Sequence, residues 1–180
     1  MLAVFGSAVR LMDERSLIYD WNRVDYEFKR DASNHPHEIW FDDETLRDGL
    51  QSPSARNPSI EQKIELLGYM EKLGIQKVDL GLPGAGPMHR THIDAMLTHI
   101  KEHDFSIRPG AAVRTLMGDI EPLVEMQAKH DMEIQASAFL GTSPIRQYTE
   151  GWTMEKLIST MEKAVSYAVE NDVPVMFVTE

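Results

Sequence analysis

The chain has 180 residues, 42% of them hydrophobic and 26% charged, ordinary values for a soluble globular protein with room for one sizeable core. With 18 basic and 29 acidic residues the formal net charge is −11, which argues against a nucleic-acid or anionic-membrane surface, because phosphate binding needs a positive field. Cysteine is absent, so disulfides, thiolate zinc sites and cysteine nucleophiles are excluded.

No apolar run approaches the ~20 residues of a membrane helix. The apolar opening from Met1 to Val9 meets its first cation only at Arg10, the reverse of a secretory signal, so the expected location is the cytoplasm. Residues 1–36 mix acidic, basic and aromatic residues without a clean period and end in the turn-like Asp31 to Pro36. They read as an N-terminal extension, with a helix around Asp13 to Lys29 that packs through Leu17, Ile18, Trp21 and Tyr26.

A rhythm starts at residue 37. A first strand over 38–42 leads into a loop rich in Ser, Pro and Asn. Ser59 and Gln62 then form a capping box for a helix whose apolar face is Ile60, Ile64, Leu67, Met70 and Leu73, and Gly74 stops it. Lys77 to Leu80 is a second strand. The glycine-rich turn Gly81 to Pro87 opens a helix to about His103, and Ile107 to Val113 is a third strand. Asp119 is expected to cap a helix to about Lys129, with Pro122 tolerated in its first turn. Met132 to Phe139 is a fourth strand, followed by a polar loop to Gly151. Thr153 opens a helix with Leu157, Ile158, Met161, Val165 and Val169 on one face, and Val173 to Val178 is a fifth strand.

Strands alternating with helices predict right-handed βαβ units and a parallel sheet. The strand centres are spaced by about 34 residues, which suits a (β/α)8 barrel of ~250 residues. Five strands alone would also suit a doubly wound sheet. The exit of a strand at Thr179–Glu180 with no covering helix favours a partial barrel. The expected fold is therefore α/β, the N-terminal five-eighths of a TIM barrel over 37–180, with five strands and four helices.

The densest chemistry lies in Phe41 to Gln51, where Arg47 and Asp48 follow a strand and precede a glycine turn. As a bare dipeptide they would read as a salt-bridged strand end. The whole pattern Asp43-x-Thr45-Leu46-Arg47-Asp48-Gly49-x-Gln51 resembles the first-strand signature of metal-dependent TIM-barrel enzymes that make or break carbon–carbon bonds beside a carboxylate. These are the isopropylmalate, homocitrate and citramalate synthases and hydroxymethylglutaryl-CoA lyase, which share a pyruvate carboxyltransferase-type domain.

The resemblance implies a divalent metal (Mg, Mn or Zn) on Asp48, an Arg47 that orients and polarises the substrate carbonyl, and Gln51 beside the metal. It implies acetyl-CoA as co-substrate, a 2-oxo acid as acceptor, and a homodimer in the complete enzyme, with a role in amino-acid biosynthesis. Asp79 stands where the family has glutamate in a Val-Glu-x-Gly-x-Pro run, one methylene shorter, placed to hold Arg47 or assist proton transfer. Arg114 and Thr142 join the substrate-binding set, Glu180 falls where synthases place a catalytic glutamate, and Ser137 replaces their fourth-strand histidine.

The family's other two metal ligands, a His-x-His pair, are expected beyond residue 180. His35-Pro-His37 has that form but lies at the wrong end of the first strand. His89, His92, His99 and His103 share one helix and are expected to be surface histidines. The glycine run after the second strand lacks dinucleotide-loop spacing and reads as a tight turn. Synthase chemistry is the expected activity. A lyase of the hydroxymethylglutaryl-CoA type, and an inactive or partner-binding chain, are the alternatives.

Overall fold

The computed structural model of the chain describes residues 14–18 and 39–179. Five strands, β1 (Asp42–Asp43), β2 (Lys77–Asp79), β3 (Arg108–Arg114), β4 (Gln135–Leu140) and β5 (Val175–Thr179), form one sheet in strict chain order. Every neighbouring pair is parallel. Five α-helices accompany them: α1 (Ile60–Leu73), α2 (Pro87–Glu102), α3 (Met117–His130), α4 (Pro144–Glu150) and α5 (Met154–Glu170). The result is a curled half-barrel, a partial α/β TIM barrel.

The core lies between the sheet and the helices. Val78, Leu80, Ala111, Val113, Ala136 and Ala138 point outward from the strands and meet Leu67, Met70, Ile93, Met96, Leu97, Ile120, Leu123 and Ala164. Side chains alternate along a strand, so the opposite, concave face carries the residues in between. These include Lys77, Asp79, Arg108, Gln135 and Ser137. Low on that face Lys77 donates to Gln135 across the intervening β3 and lies 3.4 Å from Asp42.

Local signals place α1 as expected. Ser59 accepts from the Gln62 N–H, the Gln62 side chain accepts from the Ser59 N–H, and Gly74 closes the helix at φ +75°. Elsewhere the structure differs from the sequence reading. The first strand is only Asp42–Asp43, because Ile39 and Phe41 are 82% and 65% exposed and the pairing with β2 starts one residue after Phe41. Residues 144–150, expected as loop, form α4, capped by the Ser143 hydroxyl with Pro144 in its first turn, so there are five helices where four were expected.

Asp119 does not cap α3. Leu116 holds the N-cap position without a side-chain bond, and Asp119 is buried in the first turn. Pro122 falls inside α3, beyond its first turn. The Gly118 carbonyl, which Pro122 cannot bond, faces an Arg90 N–H at 3.5 Å. α5 buries Leu157, Ala164 and Ala168, whereas Ile158 and Val169 are exposed. The N-terminal helix expected over Asp13 to Lys29 lies almost wholly outside the described residues, where a 3-10 turn occupies Glu14–Leu17.

Candidate functional site

The strand β1 ends in a turn followed by a 3-10 helix, Asp48–Gln51, and this short path sets Arg47 beside the end of β2. The Thr45 N–H donates to the Asp43 side chain, and the Arg47 and Gly49 N–H groups both donate to the Glu44 carbonyl, which tightens the turn. Arg47 then sits among three carboxylates. Its guanidinium donates to Glu44 and, at 3.1 Å, to Asp48, while its Nε–H faces Asp79 Oδ2 at 3.8 Å.

That last distance is too long for a hydrogen bond. Arg47 Nε and Asp79 Oδ2 are both buried and both lack a hydrogen-bond partner. The other Asp79 oxygen is well served, accepting from the N–H groups of Gly81 at 2.9 Å and Ala112 at 3.3 Å. Burial is the largest influence on the Asp79 carboxyl and raises it to about 6. Nearby Glu44 pushes the same way, and Arg47 and the two backbone donors only partly offset them. A buried pair with unmet valences at the carboxyl end of a parallel barrel strand is where a small ligand would complete the bonding.

The expected site residues divide into two groups. Arg47, Asp48 and Asp79 come together, and Gln51 shares a cavity with Arg47. Arg114 stands apart at the end of β3, where its Nε and Nη2 donate to the two Asp119 oxygens at 2.6 and 2.8 Å and its backbone N–H donates to Oδ2 at 3.0 Å. Its affinity for a proton is raised by that hydrogen bond. Arg114 also lines a cavity of about 310 Å³ with Arg146, Trp152 and Lys156. The Thr142 carbonyl accepts from the Gln147 side chain. Glu180 and the His35-Pro-His37 pair lie outside the described residues.

Among the described residues no three His, Cys, Asp or Glu side chains gather as a metal-binding set. The carboxylates of Glu44, Asp48 and Asp79 surround a cation and do not converge on one point, so these residues alone do not make a metal centre.

Glu44, within the motif, was given no role by the sequence. Lys63 was also missed, because a lysine in the first turn of a helix reads as solvated, yet it is buried. His89 and His92, expected on the surface, line a cavity, and His92 Nδ1 is buried. His103 fits the surface expectation, whereas His99 is half-buried, with its ring 3.9 Å from that of His103.

The sheet topology and this strand-end arrangement agree with a family match. The chain belongs to the HMGL-like family, whose pattern fits residues 38–180. Among curated proteins it is similar to the 2-isopropylmalate synthases of Sediminispirochaeta smaragdinae (29% identity over 135 residues, 73% of this chain and 25% of the relative) and Brevibacillus brevis (29% over 139 residues, 77% and 26%). The 2-isopropylmalate synthase of Streptococcus gallolyticus is 32% identical over 136 residues, 72% of this chain and 24% of the relative. The chain thus spans about a quarter of the length of the curated relatives it matches. None of the helices among the described residues is long and apolar enough to cross a membrane.

Proposed function

We propose that the chain carries the carbonyl-binding part of a synthase site that condenses acetyl-CoA with a 2-oxo acid, as the names of its relatives suggest. The observation that carries this reading is the open Arg47–Asp79 pair. A 2-oxo acid presents adjacent carbonyl and carboxylate oxygens, and the unused Arg47 Nε–H supplies a charge-assisted donor for one of them. Charge that develops on the carbonyl oxygen during attack would be stabilised by the same fixed cation.

Asp79 is the group suited to move a proton. Its free Oδ2 and a carboxyl raised to about 6 allow it to exchange a proton near neutral pH, as enolate formation from an acetyl thioester requires. Removal of a methyl proton gives the enolate, which attacks the 2-oxo carbon, and hydrolysis of the thioester releases CoA. Asp48 offers one carboxylate to a divalent cation, but no step is assigned to that metal because the described donors do not enclose it. Glu180, Arg114 and Thr142 remain further proposed site residues, and the 2-oxo acid and acyl-CoA the proposed partners.

The reaction is tested by thiol release from acetyl-CoA with 2-oxo acids and Mg, Mn or Zn. A parallel incubation with 3-hydroxy-3-methylglutaryl-CoA, read as acetyl-CoA formed, scores the lyase alternative. Release that depends on a 2-oxo acid and falls by at least about tenfold in Arg47→Lys supports the synthase, since an ammonium cannot reproduce the guanidinium fork. Product from the second incubation alone assigns the lyase. Failure of both reactions removes acyl chemistry and leaves a binding role.

A further inference from the structure

We propose that the cavity between the N-terminal halves of α1 and α2 is a binding site for a small oxyanion, a carboxylate or a phosphoryl group, held by Lys63, His89 and His92. The cavity measures about 200 Å³, and Asn57, Arg47 and Gln51 complete its polar lining over an apolar floor of Leu46 and Leu80. It is smaller than the roughly 300 Å³ at which pockets for drug-sized ligands begin. One oxyanion with a few waters fits that volume.

Its bonding groups are unmet. Lys63 is only 4% exposed, and its ammonium, which reaches the cavity surface, shows no ion pair or hydrogen bond among the described residues. His92 Nδ1 is buried without a partner. Burial of a cation without a counter-charge is costly, and the interior tolerates it where something completes the pair. Burial accordingly lowers the Lys63 proton affinity. His92 is lowered first by burial and then by repulsion from Lys63 and His89.

Among the described residues no acid lines the cavity to settle these charges. Glu61 acts on His92 from the exposed start of α1, and Glu44 and Asp48 are already bonded to Arg47. In a chain of net charge −11, a cavity whose described charged lining is all basic runs against the general field. A bound oxyanion would accept from the Lys63 ammonium and from both imidazoles, and its charge would convert their mutual repulsion into attraction. The site shares Arg47 and Gln51 with the proposed 2-oxo acid site; its own donors are Lys63, His89 and His92, and binding of an oxyanion to them does not require acyl chemistry.

The test compares melting temperatures of the 180-residue chain in inorganic phosphate, in succinate and in chloride at equal ionic strength. Phosphate or succinate should raise the wild-type melting temperature saturably, as for any ligand that binds only the folded state. Lys63→Met should melt no lower than wild type in chloride, because it removes a partly desolvated charge that has no counter-charge among the described residues, and should lose the response. His92→Asn should keep the response with affinity weakened about ten- to a hundredfold, the scale of one charge-assisted hydrogen bond. A response to phosphate alone assigns a phosphoryl group, and to succinate alone a carboxylate. An equal rise in wild type and Lys63→Met would be a general salting effect and would overturn the site. Should Lys63→Met fail to fold, the imidazole nitrogen signals of His92 decide: a saturable shift with either anion supports the site, and no shift overturns it.

Discussion

At the end of β2, Arg47 and Asp79 stand 3.8 Å apart with an N–H and a carboxylate oxygen unmet, whereas beside it, at the end of β3, Arg114 and Asp119 are joined by two bonds of 2.6 and 2.8 Å. The residue types are the same and both aspartates are buried. The closed pair leaves no Asp119 oxygen unused, since Oδ2 also accepts from the Arg114 backbone N–H, and only the outer edge of the half-exposed Arg114 guanidinium remains free among the described residues. The open pair has one donor and one acceptor in reserve. Bonding capacity left unused in a buried place costs free energy, and such places concentrate where function needs them. By this contrast the β3 pair stabilises the fold and the β2 pair is available for chemistry.

The largest effect expected from this contrast is on the closed side. Asp119→Ala should destabilise the chain by about 3 kcal/mol in urea unfolding, because a backbone N–H and a guanidinium lose their acceptor. Water reaches the half-exposed Arg114, which keeps the loss at the low end of the range for buried pairs. An unchanged midpoint would make the closed pair ornamental. Gly84→Ala should cost roughly 2 kcal/mol by displacing the same carboxylate, since a Cβ there would lie 2.0 Å from Asp119 Oδ1. Combined with Asp119→Ala it should cost less than the sum of the two, because both act on one contact.

On the open side the expected signature is a pH dependence. The Asp79 carboxyl rises from 3.8 to about 6 on folding, so the folded state holds its proton more tightly than the unfolded chain. The penalty for ionising it is absent below pH 3.8, grows between pH 4 and 6, and is complete above that. Asp79 should therefore remove on the order of 3 kcal/mol of stability as pH rises through this window. Asp79→Asn should flatten that slope while keeping Oδ1 as acceptor for Gly81 and Ala112, and a slope unaltered by the change would discard the raised carboxyl.

The smallest effect belongs to Glu44→Gln. Removing that charge should move the Asp79 titration below its value of about 6, as read from carboxyl carbon NMR, with stability altered by no more than about 0.5 kcal/mol. A titration that stays put would mean that burial alone sets Asp79.

Much of this was legible in the residues, for identifiable reasons. Ser59, Gln62 and Gly74 are each other's local context, so the ends of α1 could be read without tertiary information. That Arg47, Asp48 and Asp79 come close together could be anticipated, because the motif after the first strand and the end of the second meet at one rim of a parallel sheet. The failures share a cause, which is that burial is decided by partners distant in sequence. Ile39, Trp40 and Phe41 look like a strand, yet the register with β2 begins only at Asp42, and Phe41 joins it through its carbonyl alone, which accepts from the Lys77 N–H. The buried face of α5 is marked by Ala164 and Ala168, whose small side chains leave a weaker apolar signal than Ile158 and Val169. Lys63 and His92 looked solvated because nothing in the neighbouring sequence reveals that α1 and α2 bring them to one cavity. Asp119 carried a cap signal, but Arg114 competed for its oxygens and won.

The strand order, in which each strand lies beside its neighbour in sequence, bears on how the chain acquires its shape during synthesis. A ribosome adds about 5–20 residues per second. With units of some 25 to 40 residues, the next strand emerges within a few seconds and finds the edge it needs already in place. No strand must wait for a partner made much later, so the sheet can grow vectorially, one βα unit at a time. Each new unit covers the edge left by the last, which shortens the time that any unpaired edge stays open to misassembly with another nascent chain.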